Sequence, residues 1–558
     1  MTASTSSRGK WLALTAALLG WMFDGAEMGL FSMVGRSAIR DLMGMTGTPT
    51  PEQTQQVAFL FSVITAVFLV GAATGGVLFG WLGDKVGRVR AMSLSVLTYA
   101  IFTGLCGFAQ TPWQVAILRF IASLGMGGEW ALGVALVMEI WPNKSRGLMA
   151  GLIGAAANVG YTLVGCLQLG LSAIPDQAKG LLQGIGLPES TVQMLIANDA
   201  WRLMMLMGTA PALLTFLFRM FVPESAKWEE QKAHGGVSHW DARDLLGILI
   251  GALGPALILF VCANQFNWQV RLIGSLVGVL IATVGYVFPV VQYLRRQALS
   301  LGNVQLPAGV TVQTWPRVVG RMLLASCLSG IALLGTWGST QQFPSWAAEM
   351  ASAQAAKAEA VKAGTKTAVM VTGDAQKVDP KPLAIKPPAS KPQAAPWTMI
   401  WLSLGAITGT ILAALAGDLF GRRITYFVLC VLSLGSVLVV TLGNPGYGPQ
   451  FLALSFVAGL FTASFYGWLP LYLPELFGTN IRATGQGFSF NFGRILAAVG
   501  TLQLSSIKTF FESDDMRIMG VILPKGYPAL LSTVSLVYIL GMVMIWFMPE
   551  TKGKPLPE

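Results

Sequence analysis

Charge is what this chain has least of. Of its 558 residues only 11% are Asp, Glu, Lys or Arg, against roughly 25% in a soluble domain. Histidine is nearly missing, with only His234 and His239, both in one polar segment. The five cysteines (Cys106, Cys166, Cys262, Cys327 and Cys430) are odd in number, lie in apolar stretches and show no CxxC spacing. That excludes a disulfide framework and a zinc site. No HExxH or GxSxG is present either, so an intramembrane enzyme would lack both metal and nucleophile. Neither enzymatic activity nor a cofactor is expected.

What the chain does have is apolar length. Hydrophobic residues make up 54% of it and the mean hydropathy is +0.61. Runs of about 20 apolar residues, each able to cross a hydrocarbon core of about 30 Å as a helix, recur throughout, and about fourteen can be counted. The expected fold is an all-α integral membrane protein in a lipid bilayer. The net charge of +11 comes from Lys and Arg scattered in short loops. That pattern sets membrane orientation and gives no nucleic-acid footprint. Arg8 and Lys10 precede the first apolar run, but no small-residue cleavage site follows, which predicts an uncleaved first spanning helix.

The loops carry a duplication. GDKVGR (Gly83 to Arg88), EIWPNKSR (Glu139 to Arg146) and PES (223–225) come in the first half. GDLFGRR (Gly417 to Arg423), ELFGTNIR (Glu475 to Arg482) and PET (549–551) come in the second. The order is the same, and Glu to Arg is seven residues both times. The glycines Gly83, Gly87, Gly417 and Gly421 are expected to form tight turns. Asp84 should lie near the start of the next helix, favoured by its dipole, and pair with Arg88; Asp418 and Arg422 are their counterparts. Glu139, Arg146, Glu475 and Arg482 are expected to build an ion network at one membrane face. That network is either a lock that breaks as a gate opens or simple topology and helix capping.

These motifs resemble those of the major facilitator superfamily. The resemblance implies two parallel six-helix repeats facing a midplane site with alternating access. The expected domains are an N-terminal bundle (1–222), a central segment with two additional helices (223–318) and a C-terminal bundle (319–558). Both GD-x-x-G-R loops must face the same side, so the insertion adds an even number of crossings and both termini lie inside. A long loop at about 346–396, rich in Ala, Lys and Pro, then falls outside: an Ala-rich helix followed by a polyproline II spacer. RFIASLGMGGEWALG (Arg119 to Gly133) and ATGQGFSFNFGRILAA (Ala483 to Ala498) are similar to signatures of the organic acid:proton symporter cluster. The central pair of extra helices resembles the fourteen-helix bacterial sialic acid permeases. The resemblance implies a monomeric proton-coupled symporter in the bacterial inner membrane, importing an organic acid such as sialic acid. Alternatives are a monocarboxylate or aromatic acid symporter, or a facilitative sugar uniporter, since Gln341 and Gln342 resemble paired glutamines of that family. Sodium in place of protons stays open. A non-transporting membrane sensor would be expected to carry a long extension after PETKGKPLPE.

A charge near the bilayer centre costs about 2.5–3.5 kcal/mol on insertion scales, so each one marks a candidate site. Asp24 and Glu27, three apart in LGWMFDGAEMGLFS, share a helix face and resist double ionisation, which suits a proton carrier. Alternatively Asp24 pairs permanently with Arg119, which would be a relay partner or would orient helices. Glu129 is a second proton site or accepts a substrate hydroxyl. Arg494, flanked by Asn491 and twelve residues into the thirteenth predicted helix, either anchors a substrate carboxylate or pairs with an acid of the first helix. Asn158, Tyr161, Gln168, Gln341 and Tyr466 are candidate partners for hydroxyls or an amide.

Overall fold

The computed structural model describes residues 7–47, 49–141, 145–173, 175–219, 222, 224–235, 239–264, 266–301, 314–362, 393–444, 446–513, 517–518, 521–522 and 525–557. The first half contains α1 (Ser7–Leu42), α2 (Pro51–Val86), α3 (Arg88–Cys106), α4 (Pro112–Ile140) and α5 (Arg146–Ala173). A short α6 (Pro175–Gly184) and α7 (Glu189–Arg219) complete it. Next come α8 (Ala226–Ala233) and the inserted pair, α9 (Asp244–Ala263) and α10 (Trp268–Leu301). The second half begins with α11 (Trp315–Trp337), α12 (Phe343–Lys362), α13 (Ala394–Phe420), α14 (Arg422–Gly443) and α15 (Pro449–Thr462). It ends with α16 (Phe465–Tyr472), α17 (Arg482–Asn491), α18 (Gly493–Ser513), α19 (Tyr527–Ser535) and α20 (Val537–Met544). The one sheet among the described residues is a two-residue antiparallel ladder pairing Arg517 with Ile522 and Ile518 with Val521.

Eleven helical rods among the described residues are long and apolar enough to cross a membrane. Three are composite: 315–358 runs through α11 and α12, 449–476 through α15 and α16, and 527–547 through α19 and α20. With α1, α7 and the α17 and α18 pair, the arrangement accommodates the fourteen crossings expected. The Ala-rich stretch after Trp346 is helical as far as Lys362. The Lys- and Pro-rich tract beyond it, along with Lys144 of the second loop motif and Pro223 of PES, lies outside the described residues.

In an apolar solvent, helices associate through close packing of small residues, and the duplication is visible there too. In the first half, a Cβ on Gly75 of α2 would overlap the Leu124 carbonyl of α4, and one on Gly127 would overlap the Ala72 carbonyl. In the second, Gly409 of α13 meets the Leu460 carbonyl of α15, and Gly459 meets that of Leu402. The halves join along two seams, α5 against α13 and α16, and α2 against α17 and α18. The inserted pair lies over the second seam: Tyr286 shares a 2.7 Å hydrogen bond with Thr74 of α2, and Arg271 donates to Gln503 of α18 at 3.3 Å.

The GD-x-x-G-R segments differ from the expected turns. α2 runs on to Val86, so Asp84 sits near the end of α2 and not at the start of α3. Only the second glycine of each motif turns the chain: Gly87 has φ +117° and Gly421 has φ +99°, a region open to glycine and costly for other residues. Gly83 and Gly417 are helical residues packed against Leu132 and Leu471.

Candidate functional site

The charged loop motifs converge at one face. Arg88 pairs with Asp84 and, at 3.4 Å, with Glu139, and donates to the Thr479 carbonyl of the other half. Asp84 accepts from the Ala483 and Thr484 amides and the Thr484 hydroxyl (3.3, 2.8 and 2.5 Å), so it caps the start of α17, where a helix favours negative charge. Arg482 crosses the same interface to Glu139 at 2.9 Å. The network is therefore paired differently from the expectation: Glu139 is held by Arg88 and Arg482 rather than by Arg146. In the second half Arg422 binds Glu475 through two bonds of 3.0 and 2.7 Å and reaches Asp418 at 2.9 Å. Among the described residues Arg146 makes no ion pair, although it lies in the field of Glu475 and Asp418.

PES and PET have matching roles that sequence reasoning did not assign. Glu224 accepts from the amides of Arg88 and Val89, and Glu550 from those of Arg422 and Arg423. Ser225 donates to Glu139, and Thr551 to Glu475, both at 2.5 Å. Each acid thus caps a helix whose first orphan N–H groups need acceptors, and each hydroxyl completes the buried glutamate's shell. Burial pushes the Glu550 carboxyl up, but the amides of Arg422, Arg423, Lys552 and Thr551 outweigh it and hold the group below its ordinary 4.5.

Every intramembrane charge the sequence singled out is buried: Asp24, Glu27, Arg119, Glu129 and Arg494. The two acids of α1 use different partners. Glu27, not Asp24, pairs with Arg119, at 2.8 Å. Asp24 lies in the field of Arg494 across the interface, as do Tyr161 and Tyr466. Arg494 follows a local irregularity in its rod: α17 ends at Asn491 and α18 begins at Gly493, with Phe492 between them still in the helical region. The Arg494 guanidinium lies over the Phe490 ring at 5.3 Å, and Nη1 is buried with no hydrogen-bond acceptor among the described residues. Asn491 donates to the Gly127 and Gly487 carbonyls and packs on Gly76, which makes it part of the seam in this conformation. Trp130 of α4 stacks on Phe490 of α17 across the halves, at 3.7 Å between centroids.

On the other side a cavity of about 1040 Å3 opens between the halves, lined by α1 and α2 on one wall and by α11, α12 and α19 on the other, with Arg119 at its base. Gln341 lines it and also a small annex of about 20 Å3 bounded by Asn158, Tyr161 and Thr336. Gln168 and Tyr466 are absent from both linings. A run of stacked groups that sequence reasoning missed lies along the cavity wall. Arg36 sits over Phe61 at 4.6 Å, Phe61 stacks on Phe31 at 5.3 Å, and Arg119 lies between Phe31 (4.2 Å) and Phe68 (4.5 Å). The only sequence signal for it was aromatic residues at helical spacing, which are ordinary in membrane spans.

A two-fold repeated helical bundle, shut at one face, open at the other and charged at its midplane, defines a major facilitator transporter. The chain belongs to the family described as "Sugar (and other) transporter", which matches residues 12–236 and 374–553. Among curated proteins it is 24% identical to a Haemophilus influenzae protein named "Putative metabolite transport protein", over the full length of both. It is 29% identical to the cis,cis-muconate transport protein of Acinetobacter baylyi over 40% of this chain and 45% of that one. Among solved structures, the proton:xylose symporter XylE superposes with a TM-score of 0.61 at 16% identity, covering 99% of this chain and 98% of the other. The human organic anion transporter MFSD10 follows with a TM-score of 0.52 at 14% identity, covering 96% and 99%. These structural likenesses concern the fold.

Proposed function

We propose that the protein is a proton-coupled symporter that imports an organic acid across a bacterial inner membrane by alternating access. It works as a monomer, with the motif face and both termini cytoplasmic, so the conformation described is outward-facing. The observation that carries this reading is the Glu27 to Arg119 pair at the base of the open cavity. A buried ion pair tolerates loss of one charge poorly. Protonation of Glu27 releases Arg119, and recovery of the pair expels the proton. Asp24 and Glu129 are the further acids through which the proton is passed.

Arg494 is the carboxylate anchor in this account. A buried guanidinium with an open donor favours an acceptor, and its planar fork matches a carboxylate. An anion bound with one proton leaves the net charge of the site unchanged, so loaded and empty proteins face similar desolvation on closing. The polar groups at Asn158, Tyr161, Gln341 and Tyr466 suit the hydroxyls of an acid such as sialic acid. Entry of substrate then closes the outer cavity while the Asp84, Arg88, Glu139 and Arg482 cluster opens at the inner face, its counterpart around Arg146, Asp418, Arg422 and Glu475 moving with it.

The test is uptake of labelled N-acetylneuraminate, lactate and benzoate into proteoliposomes, with and without an inward proton gradient. Accumulation of one acid that depends on the gradient supports the reading and names the substrate class. Uptake that ignores the gradient rejects proton coupling, and dependence on a sodium gradient reassigns it.

A further inference from the structure

The mouth of the cavity is cationic. Arg36 and Arg40 line it together with one acid, Glu349, while the third lining arginine, Arg119, is already paired with Glu27. Arg36 differs from Arg119 in one respect. Among the described residues it makes no salt bridge; its partners are the Phe61 ring, 4.6 Å beneath it, and the Ser345 hydroxyl, to which Nη1 donates at 2.6 Å. The guanidinium thus lies over an aromatic face while Arg36 lines the cavity, an arrangement in which the ring supports the cation without using its hydrogen-bond donors. Ser345 belongs to α12 of the second half, so Arg36 of α1 meets the opposite wall of the mouth.

A neutral hydroxyl is a weak partner for a guanidinium, whereas a carboxylate accepts two parallel charge-assisted bonds. A concave cationic mouth also raises the local concentration of anions and speeds their capture. From Arg36 the stacked Phe61 and Phe31 rings lead directly to Arg119. We propose that Arg36, seated over Phe61, is an outer carboxylate-binding site that receives the anion at the mouth before it reaches the buried charges of the interior. This inference rests on the reading of the protein as an organic acid importer and adds a second site to it. Ser345 occupies one donor of that site while no anion is bound.

The experiment measures initial uptake rates in proteoliposomes for whichever of N-acetylneuraminate, lactate and benzoate the wild type accumulates, at 50 and 500 mM KCl. For Arg36→Gln, KM is expected to rise about tenfold with kcat within about twofold of wild type, and the rise of KM with salt seen in the wild type is expected to flatten. Arg36→Lys, which keeps the charge without the fork, should fall between the two. Ser345→Ala removes the competing acceptor, and its KM is expected to fall. An Arg36→Gln protein with wild-type KM and salt response overturns the outer site. So does a Ser345→Ala protein whose KM rises in parallel with that of Arg36→Gln, because the contact then serves only to hold α1 to α12. A wild type that accumulates none of the three acids rejects the importer reading itself, a result distinct from either.

Discussion

At the scale of single residues, the account turns on which acid holds which base. The sequence placed Asp24 and Glu27 on one helix face but could not assign their partners, because residue spacing says nothing about the neighbouring helix. The structure distinguishes them: Glu27 pairs with Arg119 within its own half, and Asp24 lies in the field of Arg494 of the other half. Glu27→Gln leaves Arg119 buried and uncompensated, which costs about 3–5 kcal/mol. Thermal melts in detergent are expected to fall accordingly, and the Glu27→Gln, Arg119→Gln double variant to recover part of the loss; strictly additive effects contradict the pairing. Glu550 gives a pH-dependent case. Its carboxyl is depressed below 4.5 in the folded protein, so its contribution is present above the unfolded value and is lost as pH falls through the folded one. Glu550→Gln should therefore melt below the wild type at pH 7, with the gap closing as the pH is lowered well below 4.5. A gap that widens on acidification contradicts the capping role.

At the scale of elements, hydropathy and the repeated loops were enough to predict the all-helical fold, the duplication and the inserted pair, because a bilayer leaves helices as the only way for these segments to satisfy their backbone. Element ends were less legible. GDKVGR reads as a two-glycine turn, yet α2 continues through it to Val86 because Gly83 is a packing glycine and only Gly87 takes a positive φ. The irregularity at Phe492, two residues before Arg494, has no proline to announce it. The glycines of the α13 and α15 contact give a direct test of element packing. Gly409→Ala drives a Cβ into the Leu460 carbonyl, which is backbone and gives little. A loss of about 1–3 kcal/mol or more is expected, seen as a lower melting temperature and an aggregated fraction on size exclusion. A change at Gly170, where nothing lies within 4 Å, should leave both readouts unaltered. Equal effects at the two positions contradict the close-packing argument.

At the scale of the whole molecule, the two halves are clasped by charge at the motif face and enclose a cavity at the other, where Arg36 still reaches Ser345, and the alternating access proposed above requires that balance to reverse. At the motif face the charged cross-half ties involve Asp84, Arg88, Glu139 and Arg482. Conformational states separated by a few kcal/mol respond to the loss of one such buried pair. Arg482→Gln is accordingly expected to shift the population away from the outward-facing state. A single cysteine at Ser62 on the cavity wall, in a cysteine-free background, should then react at least about threefold more slowly with an impermeant thiol reagent added outside; an unchanged rate contradicts the clasp. The claim that joins all three scales is that acid and proton travel together, and luminal pH reports it most directly. With a pH dye trapped inside proteoliposomes, external addition of the accumulated acid should acidify the lumen faster than in protein-free vesicles, and Glu27→Gln should abolish the difference. Acid uptake with a luminal pH no different from the protein-free control would contradict symport.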